Sequence, residues 1–510
     1  MRPVRLVRAF LMVVLLGVTF SLYLVTTWHL GISVFHPLHS TGKMLRAHLK
    51  DVVSHLVADG PSKHSCVSDS KRNLTPYILD SQHLEQLAKS LQLNLKHAWV
   101  SEAPSLFSQE EFQKVDIPQF KARVPALVYY KKTFLAFCEA RFDGVKDWGN
   151  MMVSLRRGRL KGRHVTWERI RLIAGIPEHR TMNPSPVVDR QNGVIILVFS
   201  AFPTHMNFVE LLEHAGQPMS RVYMMKSYDV GWTWTDPVAI TDGTIGLMNP
   251  FPVSYVPGPG HSIQMRCGRI VVPGNFFTLD KYEKGIPRIC SNCTNLSNLI
   301  YSDNGGTTWH LGAKTAPSKD ASRAPIHPNE AQLAELEDGT LYMTLRTLDS
   351  VQPRAYCYSY DGGQSLSDVH LHATLVEPGF KKSNGVWKPT STGGCQGSVV
   401  SVNVSVRTPT PQKTWLVFSN PADPLDRVNL GIRLSVDGGQ SWSKPWIIFP
   451  YKAAYSDLVY FETTTDGLLE RYFAILFEGG SSRFSDHVKF YMFNLEALML
   501  NILSHERHES

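Results

Sequence analysis

Basic blocks, metal-ligand patterns and long apolar runs are all scarce in this 510-residue chain. No cluster of Lys and Arg interrupts its body, and its aromatics are the kind that strands and turns need, so a nucleic-acid partner is excluded. The net charge of +8 is modest for the length and gives only a salt-dependent attraction to polyanionic surfaces. Cys290-x-x-Cys293 has neither a second CxxC nor a neighbouring His pair. That excludes the usual zinc site and leaves a local disulfide or plain thiols. No metal and no organic cofactor is implied by the residues. Cysteines number seven, so at least one stays free or pairs between chains if the compartment is oxidising.

The one long apolar run is residues 9–28, twenty residues without a charge, preceded by Arg2, Arg5 and Arg8. At ~1.5 Å per residue it matches a hydrocarbon core of ~30 Å, and the basic flank predicts a cytoplasmic N-terminus. A cleaved signal peptide is the alternative, but the run exceeds a usual h-region and Thr26-Thr-Trp28 offers no small-x-small cleavage site. The expected organisation is a cytoplasmic tail at 1–8, a transmembrane anchor at 9–28, a stem at 29–118 and a folded body at 119–505. That is a single-pass type II membrane protein, its body luminal or extracellular, in the Golgi, the plasma membrane or an endolysosome. Sequons at Asn73, Asn292, Asn295 and Asn403 agree with that side of the membrane. Within the stem, Leu84, Leu87, Leu91 and Leu95 follow Asp80-Ser81 at helical spacing, predicting an amphipathic helix within 81–99 that packs on the body or on another copy.

What is abundant is a repeat. Ser227-Tyr-Asp229-Val-Gly231-Trp-Thr233-Trp234 returns as Ser302-Asp-Asn304-Gly-Gly306-Thr-Thr308-Trp309, as Ser359-Tyr-Asp361-Gly-Gly363-Gln-Ser365-Leu366 and as Ser435-Val-Asp437-Gly-Gly439-Gln-Ser441-Trp442. The Asp accepts backbone N–H bonds, the Gly takes a positive φ, and the Trp anchors the turn on the sheet below. Each copy marks a β-hairpin, and an array of copies implies similar sheets arranged as a propeller. Short runs at 126–130, 193–199, 269–272 and 340–345 read as its strands.

These repeats are Asp boxes, and the chain resembles the animal sialidase (exo-α-neuraminidase) family from about residue 122 to 493. The resemblance also rests on Arg123-Val-Pro125, Glu139-Ala-Arg141, Leu155-Arg-Arg-Gly158, Met182-Asn-Pro184, Asn329-Glu330-Ala-Gln-Leu-Ala-Glu335, Leu345-Arg346, Gly394-Cys-Gln-Gly-Ser398, Arg427-Val-Asn-Leu430 and Tyr455-Ser-Asp457. It implies an all-β, six-bladed β-propeller that releases terminal sialic acid from glycoproteins, oligosaccharides or gangliosides with retention of configuration. The rivals are an inactive sialic-acid-binding lectin and a trans-sialidase.

Sialic acid carries a carboxylate on its anomeric carbon, so its site needs fixed positive charge, and the planar arginine fork supplies it. The matching positions are Arg123, Arg346 and Arg427, with Arg433 competing for the last. A carboxylate nucleophile ~4 Å from that carboxylate would be repelled by about 4 kcal/mol at an effective dielectric of ~20. A neutral phenol is not, and sialidases are the known tyrosine exception to the two-carboxylate scheme. By resemblance the nucleophile is Tyr455 and its base Glu330, with Glu335 and Glu337 as alternatives. The acid/base residue is Asp147, preferred to Asp143 in the same loop. Arg141, Met182, Asn183 and Gln396 match substrate-binding positions, Gln396 being readable also as a structural amide. Asn275 and Phe277 fall where the cytosolic relative has two pocket tyrosines, so those hydroxyls are missing.

Overall fold

The computed structural model describes residues 66–507 except 69–75, 78, 109–110, 113–118, 280–292, 321–322, 324, 349–352, 373, 384–385, 390–392, 405–412 and 466–467. The apolar run at 9–28, the tail before it, Asn73, Asn292 and Cys290 lie outside the described residues. Among those described, no helix is long and apolar enough to cross a membrane.

Antiparallel sheets make up the body. The first comprises Lys121–Tyr130, Thr133–Arg141, Met151–Lys161 and His164–Trp167, with Arg171–Ile173 alongside. His179–Asp189, Val194–Pro203, Arg221–Ser227 and Val238–Ala239 form the second. The third is built on Ser254–Pro257, Ile270–Leu279, Cys293–Ser302 and His310–Lys314, and the fourth on Pro328–Glu335, Leu341–Thr347, Ala355–Ser359 and His370–Leu371. A seven-stranded sheet follows, centred on the long strand Trp446–Thr465, which pairs with Val428–Ser435 through its first part and with Leu468–Gly480 from Lys452 onward.

Successive sheets pack face to face, which is why their strands read as nearly unbroken apolar runs; Thr133–Arg141 is buried at every position. Leu135 and Phe137 of the first sheet meet Ile195 and Leu197 of the second. The other face of that second sheet puts Ile196 against Ile270 and Ile300, and the third meets the fourth through Val271, Leu299, Leu333 and Met343. Tyr342 of the fourth packs with Val399 and Phe418 of the seven-stranded sheet. The ring closes where Phe134 of the first sheet meets Phe461 and Phe490 of the last. This is a propeller-like arrangement. A central cavity of about 300 Å³ is lined from each of these five larger sheets, by Leu127, Val188, Ile263, Leu333 and Leu458 among others. At the axis, Asp457 accepts from Leu127 N, His261 N and Nδ1, and Ser398 Oγ, tying three sheets together beside the candidate site.

All four Asp boxes form the expected turn at the end of a strand. In the first, Asp229 accepts from Thr233 N at 2.8 Å and Thr233 Oγ1 at 2.6 Å while Ser227 Oγ accepts from Gly231 N. Gly231, Gly306, Gly363 and Gly439 all have φ between +76° and +92°. Asn304 serves in the second copy, accepting from Thr308 N and donating to Thr308 Oγ1.

The expected stem is partly body. The helix Ser81–Ser90, capped by Asp80, buries Leu84 and Leu87 in the cluster that holds Leu498 and Ile502 of the C-terminal helix Leu495–Arg507. It stops before Leu95 because Gln92 takes φ +54°, and Leu93 N then closes on Ala88 O. Ser105–Phe107 adds the edge strand of the seven-stranded sheet, Tyr77 bonds to Asp437 and Ser441 of the fourth Asp box, and Cys66 forms a disulfide with Cys267. Residues 76–77 and 79–107 therefore belong with the sheets. Leu87→Ala is expected to cost about 2–5 kcal/mol by denaturant unfolding; an unchanged midpoint would return this segment to the stem. Asn295 is only 5% exposed and accepts from Asn329 Nδ2, leaving no room for a glycan, whereas Asn403 is exposed.

Candidate active site

The predicted residues converge at one end of the inner strands, opposite the part that lines the cavity. Each inner strand is irregular where it contributes. Register shifts fall between Arg123 and Ala126, Met182 and Ser185, Pro328 and Ala331, and Ala453 and Ser456. Val124 and Asn183 have φ of +57° and +54°, and Asn429 beside Arg427 has +59°. These bulges re-aim side chains out of the ladder at a cost of order 1–3 kcal/mol each. The prolines in Arg123-Val-Pro125 and Met182-Asn-Pro184 suit such positions, since proline cannot donate to a ladder.

At the centre, Tyr455 Oη donates to Glu330 Oε1, and Arg346 Nη1 donates to Tyr455 Oη at 2.9 Å and to Glu330 Oε2 at 2.7 Å. Tyr455 is 8% exposed. Burial, and then the Glu330 carboxylate, push its phenol above the ordinary value, against the pull of Arg346 and Arg427. The resting phenol is therefore neutral and needs a base. The guanidiniums of Arg123 and Arg427 lie 5.4 and 5.6 Å from the Tyr455 ring centroid, and both also face Phe484. Arg123 is held by Glu478 at 2.6 Å, and Glu478 also accepts from Val124 N. Three buried arginines thus face one tyrosine from three sheet positions.

Asp147 sits on the loop between Thr133–Arg141 and Met151–Lys161 and accepts from Arg141 Nη1 at 2.7 Å. Arg141 is in turn gripped by the fully buried Glu139, which also accepts from Asn183 N. Burial would raise the Asp147 pKa, but its side chain is 74% exposed. The attraction of Arg141, Arg123 and Arg346 prevails and holds it below the usual carboxylate range. Asp143 instead accepts from Asn150 N and closes the loop. Met182 is buried among Met151, Phe202 and Leu211.

Several candidates go elsewhere. Arg433 Nη1 donates to Ser443 O, and burial lowers its pKa to about 10. Glu335 pairs with Arg266, and Glu337 accepts from Lys413 N and Thr414 N. Gln396 is 1% exposed, its Oε1 accepts from Ser456 N and its Nε2 donates to Pro259 O, which matches the structural-amide reading and braces the strand of Tyr455. Asn275 is 2% exposed and accepts from Asn329 Nδ2, the residue next to Glu330; Phe277 packs edge-on against Phe208. Sequence reasoning missed Glu478 and Phe484. The only sequence signal for Glu478 is a lone carboxylate ending the apolar strand segment Ala474-Ile-Leu-Phe-Glu478.

A tyrosine bonded to a carboxylate and ringed by buried arginines, on a propeller-like body, fits a glycoside hydrolase that takes an anionic sugar. A BNR repeat-like domain matches residues 132–468. Sialidase-3 of Bos taurus is 31% identical over 429 residues, covering 78% of this chain and 94% of that protein. Among solved structures, a Hadza microbial sialidase aligns with TM-score 0.55 at 22% identity, over 74% of this chain and 66% of that one. A leech intramolecular trans-sialidase aligns with TM-score 0.56 at 15% identity, over 79% and 71%; likeness this distant speaks for the fold alone. The chain belongs to the animal sialidase family.

Proposed function

We propose that this protein is a retaining exo-α-sialidase on a six-bladed propeller, with Tyr455 as nucleophile. Six blades follow if the seven-stranded sheet counts as two sharing Trp446–Thr465; the packing of Val417 and Ile432 against Phe473 and Ile475, within that one sheet, supports this. The observation that carries the mechanism is the Tyr455–Glu330 hydrogen bond with Arg346 touching both partners. Arg123, Arg346 and Arg427 hold the substrate carboxylate. As Tyr455 Oη bonds to the anomeric carbon its proton passes to Glu330, while Asp147 protonates the departing glycosidic oxygen. The substrate carboxylate offsets the arginines that hold Asp147 ionised, and this returns a proton to it. Water then attacks the glycosyl-tyrosine, losing a proton to Asp147, and the phenolate regains its own from Glu330. A 3-fluorosialosyl fluoride should leave one sialosyl adduct on the Tyr455 peptide by mass spectrometry, and proton NMR should show the α-anomer released first. A β-anomer first, or an adduct elsewhere, rejects this chemistry; transfer to lactose in place of water would reassign the protein as a transferase.

The substrates are sialylated glycoproteins, oligosaccharides or gangliosides, met on the luminal or extracellular side by an enzyme anchored through residues 9–28. The Cys66–Cys267 disulfide supports an oxidising compartment. In intact vesicles, added protease should spare the catalytic part, and glycosidase should increase its mobility; an unglycosylated, protease-sensitive product rejects the anchored topology.

A further inference from the structure

Two of the three site arginines rest on one short loop. Arg346 Nε and Nη2 donate to Gly393 O at 3.1 and 2.9 Å, and Arg427 Nη2 donates to Gly394 O at 3.1 Å. Gly394 has φ +69°, and a Cβ there would lie 2.5 Å from Thr347 O and 3.0 Å from Arg346 Cγ, so the loop backbone is wedged against the arginine it orients. Two residues on, Gln396 holds Ser456 N beside the nucleophile. The peptide groups between them are fixed by charge. Glu377 Oε2 accepts from Cys395 N at 2.7 Å, and Arg354 Nη1 donates to Cys395 O at 2.9 Å. Arg354 and Glu377 pair at 2.6 Å with both side chains 0% exposed, and Arg354 Nε is fixed by Thr344 Oγ1 at 2.7 Å.

We propose that the Arg354–Glu377 pair is a positioning device for the site, setting the direction of the Arg346 and Arg427 forks, and hence the affinity for the substrate carboxylate, through the backbone of Cys395. Both act on the site through the backbone of the loop, and Glu377 also feels the charge of Arg346. A buried ion pair returns little net stability against an apolar pair of similar volume, so stability does not account for two charges here. Their geometry does: one carboxylate and one guanidinium satisfy both polar groups of a single residue from opposite sides. Displacing an arginine fork by a fraction of an ångström spoils a bidentate contact while its charge remains.

The inference rests on the sialidase reading, and the test separates the two. In the full chain, Arg354→Met with Glu377→Leu removes both charges and keeps the volume, and Thr344→Val removes only the acceptor of Arg354 Nε. Calorimetry would give the affinity for the planar 2,3-unsaturated sialic acid, and NMR titration that for its methyl ester, with thermal unfolding reporting the folded fraction. The folded double variant should bind the acid roughly ten- to a hundredfold more weakly and the ester within about twofold of wild type, because the ester lacks the charge that the forks read. Thr344→Val should shift the same way by a smaller factor. Equal losses for acid and ester, or an unchanged acid affinity in either folded variant, would overturn the proposal; should the double variant not fold, Thr344→Val decides. Wild type that binds neither ligand would instead reject the sialidase reading.

Discussion

Tyr455→Phe is expected to reduce sialoside hydrolysis by three or more orders of magnitude while binding of sialic acid stays within about threefold of wild type. The substitution deletes one oxygen. It leaves the ring beside the guanidiniums of Arg123 and Arg427, and it leaves Arg346 on Glu330 and Gly393, so the proposed carboxylate site persists without the proposed covalent route. Glu330→Gln should resemble it, because burial already disfavours ionisation of the phenol and only its base can take the proton. Initial rates on a fluorogenic sialoside from pH 4 to 7, with calorimetric affinities, decide the matter. Near-normal turnover in Tyr455→Phe would place the nucleophile elsewhere. Wild type that binds but turns over no faster than the variant would make the protein a lectin.

Much of the fold was legible because its signals are local. An Asp box carries its turn in eight residues, and all four copies form it; Asn304 substitutes because its amide can both accept and donate. Four of the motifs, around Arg123, Asn183, Glu330 and Tyr455, fall at register shifts of their strands, and a proline marks the break in the first three. What lay hidden depends on distant partners. Nothing near Glu478 announces that it will meet Arg123 across 355 positions, nor could spacing tell that Gln396 would spend its amide on Ser456 and Pro259. The leucine pattern of 81–99 foretold a packing face. It could not foretell that Gln92 would end the helix after one cluster of leucines, or that Ser105–Phe107 would complete a sheet begun some 290 residues later. A hydrophobic stripe specifies that something is covered; only the folded chain specifies by what.

Arg346→Lys should be the most damaging charge-conserving change in the site. The guanidinium donates to Tyr455, to Glu330 and twice to Gly393 O from one rigid plane. Burial would lower its pKa, but Glu330 and Tyr455 more than offset this and raise it, so it remains charged at any working pH. Lysine keeps the charge and brings three donors at a single point, which cannot serve a planar carboxylate bidentately while also reaching a carbonyl on its other side. Losing one or two charge-assisted hydrogen bonds costs about 1.5–3 kcal/mol each, or roughly tenfold to twenty-thousandfold in affinity for the planar analogue at about 1.4 kcal/mol per decade. Turnover should fall as well, because the same nitrogen contacts both Tyr455 and Glu330, the proposed nucleophile and its base. Arg433→Lys is the control: it is equally buried, but its guanidinium donates to Ser443 O, so it should disturb folding stability and leave the analogue's affinity unchanged. If the two lysine variants bound the analogue alike, the carboxylate would not rest on Arg346, and the three-arginine site would have to be redrawn around Arg123 and Arg427.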